Sequence, residues 1–213
     1  MSVFSDVACP WCYLGVTRFE RAAAAVTLST GVDIEVTLRA YQLDPDVESS
    51  GVPLMEALAR KFGSADDVQA MVERVRASAR PDGIDFDFDA AVESNTFDAH
   101  RLLTWTAEHD GVAMQRDLAH ELWRAHFVEG ADIADHDTLV ARAGLVGLDI
   151  EQVEEMLSTQ VAADAVQMQR DTAGELGIDS VPTFVIDGQW RITGAQPQDA
   201  LERALRELVT AET

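Results

Sequence analysis

The sequence predicts an α/β fold in which a long helical insertion interrupts a framework of strands and helices. Strand, helix and strand patterns open the chain, and a hairpin and a helix close it. Between about Pro53 and Ala173 no segment has a convincing strand pattern. We therefore expect an α/β domain made of residues 1–50 and 161–213 and a helical insertion domain made of residues 51–160.

The N-terminal part has the pattern of a β-α-β unit. Residues 1–5 are a short, mostly apolar run that predicts a strand, and residues 10–26 carry apolar side chains at helical spacing. Residues 33–38 alternate between apolar and polar side chains and are rich in β-branched types, which predicts a second strand.

The middle of the chain is a succession of helical patterns, separated by glycines and by a polar loop that contains Pro81-Asp82-Gly83. An acidic first turn after Asp149 is typical of a helix N-terminus. The helices are predicted at residues 53–62, 66–79, 97–110, 114–127, 136–146, 150–158 and 160–176.

The C-terminal part returns to β-structure. Two short β-prone runs, Thr183–Ile186 and Trp190–Thr193, flank Asp187-Gly188, which is a strong hairpin signal. Pro197 then opens an amphipathic pattern, and proline is well tolerated in a first helical turn.

Charge and hydropathy exclude several classes of function. The 38 acidic against 16 basic residues give a formal net charge of −22, which repels nucleic acid and anionic lipid. No stretch reaches the roughly 18 apolar residues of a membrane span, and residues 1–10 lack the pattern of a signal peptide. We expect a cytoplasmic protein without nucleic-acid or membrane partners.

The two cysteines of the chain stand in one motif, Cys9-Pro10-Trp11-Cys12, between a predicted strand and a predicted helix. The unpaired N–H groups and the dipole of a helix N-terminus stabilise a thiolate, which is the nucleophile of disulfide exchange. The spacing brings the two sulfurs within bonding reach. We expect Cys9 to attack or receive the substrate disulfide and Cys12 to resolve the mixed disulfide.

Four separated segments give the chain a family resemblance. Residues 5–15 (SDVACPWCYLG), 94–105 (SNTFDAHRLLTW), 127–139 (FVEGADIADHDTL) and 177–197 (GIDSVPTFVIDGQWRITGAQP) together resemble the FrnE-type branch of the DsbA-like thiol–disulfide oxidoreductases. The resemblance implies a thioredoxin fold interrupted by a helical domain and a redox-active disulfide at Cys9 and Cys12. It also implies a cis-proline loop at Val181 and Pro182.

The same resemblance implies the partners. Disulfide or thiol substrates, either proteins or glutathione as a co-substrate, would contact Pro10, Trp11, Val181 and Pro182. An extended substrate would pair with the backbone of Val181. No metal and no organic cofactor is expected. The direction of electron flow stays open, although reductase or isomerase work suits a reducing cytoplasm better than net oxidation.

Two alternatives compete with a dithiol enzyme. Glutathione-dependent 2-hydroxychromene-2-carboxylate isomerases and kappa-class transferases share this fold, but generally carry serine in place of Cys9 and a Ser/Asn-Asp pair where this chain has residues 194–197 (GAQP). The second alternative is a binding module that uses the same groove without turnover, which would keep its affinity for peptides after both cysteines were replaced. A metal site is not expected, because it would need about four ligands, whereas the five histidines are scattered through the helical region.

Asp6 and His100 are candidates for tuning the dithiol. A carboxylate three residues before Cys9 can exchange protons with Cys12, and a nearby imidazolium favours a thiolate. Both residues have ordinary readings as well, an exposed loop acid and a packed histidine. Asn95 is expected to cap the helix that carries His100, and Arg101 to form a salt bridge at the lobe interface.

The aromatic residues divide into two expected groups. Trp11, Tyr13 and Phe184 are candidates for an apolar rim around the motif, whereas Trp105 and Trp123 are expected in the core. The acidic run at residues 85–89 (DFDFD) is expected to be solvated surface. An apolar face on the insertion can belong either to the core or to a homodimer, and periodicity does not distinguish the two.

Overall fold

Four short strands form one mixed sheet in the computed structural model, which describes residues 1–49 and 51–211. The strands are β1 (Ser2–Ser5), β2 (Thr37–Ala40), β3 (Thr183–Ile186) and β4 (Trp190–Thr193). Their order is β2-β1-β3-β4, with β1 parallel to β2 and antiparallel to β3, and β3 antiparallel to β4. The predicted hairpin is confirmed at β3 and β4.

The second strand lies later in the chain than the sequence pattern predicts. The prediction of a strand at residues 33–38 is wrong in its bounds, because the ladder with β1 pairs Ser2 with Thr37 and Ser5 with Ala40. Ile34 and Val36 are buried although they precede the strand. The alternating pattern at these residues therefore reflects burial beside the sheet, and they are not part of the sheet. A strand's bounds are set by its hydrogen-bonding partner as well as by its own pattern.

The helical patterns are confirmed. Nine helices occur in the described part of the chain, and between β2 and β3 that part contains helices, one 3₁₀ turn (Arg80–Asp82) and a single isolated bridge. The helices are α1 (Pro10–Thr30), α2 (Leu54–Phe62), α3 (Ala65–Ala79), α4 (Phe97–His109), α5 (Val112–Phe127), α6 (His136–Leu145), α7 (Ile150–Leu157), α8 (Ala163–Glu175) and α9 (Gln198–Ala211).

Capping side chains begin three helices of the insertion, and the first is Ser64, whose hydroxyl accepts the N–H of Asp67 in α3. Asp149 accepts the N–H groups of Glu151 and Gln152 at the start of α7, and Asp135 accepts the N–H of Thr138 at the start of α6. The N-cap residue of α4 is Thr96. The prediction from the sequence that Asn95 caps this helix is therefore wrong.

Asn95 has a different task from capping. Its Oδ1 accepts the N–H of Phe97 at 2.9 Å, and its Nδ2 donates to the carbonyl oxygens of Pro45 and Val47 at 3.2 and 2.8 Å. An Asn side chain can bond the backbone two residues on, which offers the chain an alternative to regular helix. Asn95 thereby ties the loop at 45–47 to the start of α4.

Side chains of helices α5 and α8 cover the edge of the sheet at β2. Gln115 of α5 exchanges two hydrogen bonds with Leu38: its Oε1 accepts the N–H at 2.9 Å, and its Nε2 donates to the carbonyl oxygen at 3.1 Å. Gln169 of α8 accepts the N–H of Ala40 at 2.7 Å. Because an uncovered edge strand pairs readily with other chains, these amides protect β2.

One continuous apolar cluster joins the predicted α/β domain to the predicted insertion. Phe19 of α1 stacks on Phe184 of β3 with ring centroids 4.4 Å apart, and Trp123 of α5 is 1% exposed in the same cluster. The domain bounds at residues 50/51 and 160/161 stay a prediction. No helix within residues 1–49 and 51–211 is long and apolar enough to span a membrane.

Three aromatic side chains are placed differently from the expectation. Phe184 is buried behind the sheet, so it cannot form part of an exposed rim. Phe86 and Phe88 are buried against Phe127, while the acidic residues between and beside them are exposed. The run at 85–89 alternates like a half-buried strand, so only its carboxylates are solvated surface. Trp105 and Trp123 are in the core as predicted.

Candidate functional site

The two cysteines lie at the N-terminus of α1. Cys9 is the N-cap residue with φ −107° and ψ 110°, and Pro10 occupies the first turn, where its missing N–H has no cost. The carbonyl oxygen of Cys9 accepts the N–H of Cys12 at 3.0 Å and that of Tyr13 at 3.3 Å. The local sequence therefore places both sulfurs at the positive end of a 21-residue helix.

The two thiols are buried to different degrees. Both are free, with 4% exposure for Cys9 and 0% for Cys12. Burial and the hydrogen bond with Cys9 raise the pKa of the Cys12 thiol well above its usual range. The backbone N–H of Asp6, 3.5 Å from Cys12 Sγ, acts in the opposite direction but does not outweigh them. Cys12 is therefore held as a neutral thiol behind Cys9.

The loop before β3 faces Cys9. The Val181–Pro182 peptide bond is cis, and the Val181 carbonyl oxygen lies 3.8 Å from Cys9 Sγ. The Pro182 carbonyl oxygen accepts the N–H of Gly194, which ties the loop to the end of β4. Residues that are far apart in sequence thus meet at one end of the sheet.

Gly15 permits this close approach of α1 and the loop. A Cβ atom at Gly15 would lie 2.6 Å from Pro182 Cγ and 3.3 Å from Ala195 Cα. Carbon atoms in good contact lie about 3.5–4.0 Å apart, so a side chain here would force the two elements apart. The last residue of the SDVACPWCYLG segment is therefore part of the site's packing.

A buried carboxylate and a buried imidazole lie beside the cysteines. Asp6 and His100 are 1% and 3% exposed, and Asp6 Oδ1 lies 3.1 Å from His100 Nε2. Burial alone would raise the pKa of Asp6, but the hydrogen bond and positive charge of His100 outweigh it and hold that pKa below its ordinary value. The expectation that Asp6 is an exposed loop acid is excluded.

Main-chain and insertion groups fix the Asp6 turn. Asp6 Oδ2 accepts the N–H of Leu43 at 2.7 Å, and Oδ1 accepts the N–H of Ala8 at 3.3 Å. The Asp6 carbonyl oxygen accepts Nε1–H of Trp123 at 3.1 Å. Trp123 and the loop at Leu43 have no signal in the sequence beyond their apolar character, because their polar contacts depend on the tertiary fold.

Arg101 does not contribute to the site. Its guanidinium donates to Asp98 at 2.6 Å and to the carbonyl oxygens of Met156, Thr159 and Val161 at 3.1, 2.5 and 2.9 Å. The predicted ion pair is present, but it joins Arg101 to its own helix. The group as a whole fastens the α7–α8 connection to α4.

Trp11 and Pro10 are half-buried next to Cys9, and Trp11 packs partly against the core. His109, His120 and His136 make contacts away from the dithiol, to Trp105, Glu20 and Asp98 respectively. Within the described part of the chain no three histidine, cysteine or acidic side chains are grouped as metal ligands.

All residues of the candidate site lie within a segment that matches a known protein family. Residues 1–206 match the DSBA-like thioredoxin domain. The chain is 28% identical over 211 residues to the uncharacterized protein YwbO of Bacillus subtilis (strain 168), covering 96% of this chain and 94% of that protein.

Solved structures with the same fold include the probable DsbA oxidoreductase SCO1869 from Streptomyces coelicolor. It superposes with a TM-score of 0.85 at 32% identity, over 100% of this chain and 90% of that one. The cytosolic disulfide reductase DsbM from Pseudomonas aeruginosa, solved with GSH, gives a TM-score of 0.68 at 20% identity over 98% of both chains, which shows the fold alone. The predicted thioredoxin fold with a helical insertion is confirmed.

Proposed function

Since the chain belongs to the DsbA-like thioredoxin domain family, we propose that it is a thiol–disulfide oxidoreductase that cycles Cys9 and Cys12 between a dithiol and a disulfide. The observation that supports this most directly is the unequal placement of the two sulfurs. Cys9 faces the Val181 carbonyl at the mouth of the site, while Cys12 is sealed beneath it. That arrangement suits one attacking thiol and one resolving thiol.

The exchange runs through a mixed disulfide. The Cys9 thiolate attacks one sulfur of a substrate disulfide, the substrate S–S bond breaks, and the second substrate sulfur leaves as a thiolate. Cys12 then loses its proton and attacks Cys9 Sγ, which forms the Cys9–Cys12 disulfide and releases the substrate's remaining thiolate. Two electrons pass from the dithiol to the substrate, and a thiol reductant such as glutathione restores the dithiol.

The Asp6–His100 pair would control the ionisation of Cys12 in the second step. The charge of the Asp6 carboxylate opposes this ionisation, and the backbone N–H of Asp6 stabilises the Cys12 thiolate once it has formed. The pair is buried, so its proton balance is insulated from solvent. We assign Asp6 and His100 as positioning and tuning residues for Cys12.

Substrates would bind across the end of the sheet. Pro10 and Trp11 follow Cys9 in the first turn of α1, and the Val181 carbonyl oxygen lies 3.8 Å from Cys9 Sγ, so an extended peptide or a small thiol that reaches this sulfur would contact these residues and Pro182. We propose a cytoplasmic protein of the FrnE-type branch that works as a reductase or isomerase on protein disulfides or glutathione disulfides. Its chemistry needs no metal and no organic cofactor.

A redox titration in glutathione buffers tests the proposal. We expect a reversible two-electron transition between about −270 and −120 mV, and the change in Trp11 fluorescence serves to monitor it. Because the chain has four tryptophans, a Trp11→Phe variant shows which part of the signal comes from the site. Thiol alkylation measured by mass gives the same transition without fluorescence.

Single-cysteine variants give the matched controls. Cys12→Ser should accumulate mixed disulfides with substrate, whereas Cys9→Ser should form none and lose insulin-reducing activity. If the wild type forms no disulfide in that window, or if glutathione binds to it without exchange, the oxidoreductase proposal is wrong. The second of these results would favour a glutathione-dependent isomerase or transferase.

A further inference from the structure

The indole of Trp123 joins the helical insertion to the segment that carries the dithiol. Trp123 lies on α5 and is 1% exposed. Its Nε1–H donates to the carbonyl oxygen of Asp6 at 3.1 Å, before Cys9 in the chain. Its ring stacks on Tyr13, directly after Cys12, with centroids 5.6 Å apart and ring planes 13° from parallel. One side chain therefore holds the segment on both sides of the two sulfurs.

The carbonyl oxygen that Trp123 binds also closes the turn before α1. It accepts the N–H of Cys9 at 3.2 Å and so fixes the position of Cys9 at the start of the helix. The N–H of the same residue, Asp6, lies 3.5 Å from Cys12 Sγ. Burial raises the pKa of the Cys12 thiol most, and this N–H acts against it because a donor beside sulfur favours the thiolate.

The other contacts of Asp6 hold its side chain and not its carbonyl group. His100, Leu43 and Ala8 all bond to the carboxylate oxygens. Among the residues that the structure describes, Trp123 is the one side chain that donates to the Asp6 carbonyl oxygen. Without the indole N–H, that oxygen would keep only its bond within the turn, and the peptide plane would be free to tilt about it.

Helix α5 is itself fixed on the sheet. Gln115 exchanges two hydrogen bonds with Leu38 of β2, at 2.9 and 3.1 Å, and Ala119 and Leu122 of the same helix are fully buried. Groups held from a helix with packed side chains are placed more precisely than groups on a loop. The Asp6 turn is such a loop, so the indole gives it a rigid support.

We propose that Trp123 is a positioning residue of the dithiol, through which the helical insertion keeps the Asp6 N–H on Cys12 Sγ for the resolving step. The inference rests on the proposed oxidoreductase function. In that step Cys12 gives its proton to solvent and its sulfur bonds to Cys9 Sγ, while the bond between Cys9 and the substrate sulfur breaks and the substrate leaves with the electron pair as a thiolate. The Asp6 N–H stabilises the charge on Cys12 before the attack, so a tilted turn slows this step more than the first attack by Cys9.

Stopped-flow reaction of the reduced protein with dithiobis(nitrobenzoate), an aromatic disulfide, separates the two steps. Attack by Cys9 releases one thionitrobenzoate, and attack by Cys12 on the mixed disulfide releases a second. Trp123→Phe removes the N–H donor. It should slow the second phase about 3–10-fold, the worth of one hydrogen bond, and change the first phase by less than about 2-fold.

The pH dependence of the second phase distinguishes a positioning role from a merely structural one. Loss of a donor that stabilises the Cys12 thiolate should move the rising limb of that phase to higher pH by about 0.5–1 pH unit. Site-specific replacement of Trp123 with benzothienylalanine, which has sulfur in place of the N–H and nearly the same shape, should give the same shift. This replacement keeps the packing, so it decides the question even if Trp123→Phe does not fold.

Trp105→Phe is the matched control. Trp105 is also buried, at 7% exposure, but its ring stacks on His109 with centroids 4.7 Å apart. The same loss of ring volume at this position removes no donor from the Asp6 carbonyl oxygen. Both phases should therefore keep the wild-type rates and the wild-type pH profile.

Three results would overturn the inference. The first is a second phase that is equally fast in the wild type and in both Trp123 replacements. The second is slowing of both phases by the same factor at an unchanged pH profile, which would mean that Trp123 only stabilises the fold. The third is a Trp105→Phe variant that is slowed as much as Trp123→Phe. A wild type that releases a single thionitrobenzoate refutes the oxidoreductase proposal itself, and this failure is recognised without any variant.

Discussion

Replacing Gly15 with alanine tests whether the cis-proline loop is held in place by close packing on α1. The new Cβ would lie 2.6 Å from Pro182 Cγ, about 1 Å closer than carbon atoms in good contact. Pro182 is buried, and its ring cannot swing aside as a flexible side chain can. Ala195 Cα lies 3.3 Å away on another side, so the added methyl group has no free space.

The expected cost follows from two opposing effects. Overpacking a tight contact costs about 1–3 kcal/mol, while alanine in place of glycine inside a helix recovers about 0.5–1 kcal/mol. The net loss should therefore be between about 0 and 2.5 kcal/mol. For a chain of this size, that lowers the melting temperature by up to about 10 °C.

Gly174→Ala is the matched control. Gly174 lies in α8, and a Cβ there meets nothing within 4 Å, so only the helix-propensity gain of about 0.5–1 kcal/mol applies. Urea unfolding of both variants should separate them by about 1–3 kcal/mol, which is the packing cost by itself.

The effect on exchange should exceed the effect on stability. Moving the Val181 carbonyl by about 1 Å relative to Cys9 should slow insulin reduction by about 10–100-fold, because small misplacements are costly at a reacting centre. The reasoning is refuted if Gly15→Ala is as stable as Gly174→Ala, since the loop would then be free to give way. If Gly15→Ala is destabilised but reduces insulin at the wild-type rate, the position of the loop does not affect disulfide exchange.

Three further predictions concern buried polar groups. Asp6→Asn in the single-cysteine variant that retains Cys12 should move alkylation of Cys12 to lower pH, because a carboxylate charge that helps to raise the pKa of this thiol is removed; an unchanged pH profile would contradict that role. Arg101→Met should cost roughly 3–5 kcal/mol in urea unfolding, because the partly buried carbonyl groups of Thr159 and Val161 lose their donor. Arg203→Met breaks an exposed ion pair and should leave the midpoint nearly unchanged. Burial lowers the pKa of His126 from 6.5 to about 4, so the unfolded chain takes up the proton first and stability should fall by about 3 kcal/mol as the pH drops from 6.5 to 4; His126→Leu should lack this part of the loss.

Much of the fold follows from local patterns in the sequence. Helix starts such as Asp149 and the hairpin at Asp187-Gly188 are determined within a few residues, because capping and turn formation are short-range effects. The same holds for the placement of Cys9 at a helix N-terminus, which needs only the strand, the motif and Pro10 in succession. The family resemblance then brought Val181 and Pro182 into the site from the far end of the chain.

The tertiary structure alone decided which polar groups are paired. Asp6 and His100 are 94 positions apart, and only the packing of α4 against the Asp6 turn brings them to 3.1 Å. The bounds of β2 depend on where β1 offers partners, and the edge of β2 is closed by Gln115 from the insertion. Such contacts depend on the sum of many packing interactions across the chain, so no local pattern encodes them.

His126 is the clearest case of that division. In the sequence it is one of five histidines on helical patterns, and nothing distinguishes it from its neighbours. In the structure its ring is 1% exposed and lies beside a cavity. The sequence determined that a helix would carry it, and the packing of α5 against the Asp6 turn decided that its ring would lie beside a cavity. The physical reason is that helix formation is local, whereas burial is a property of the whole fold.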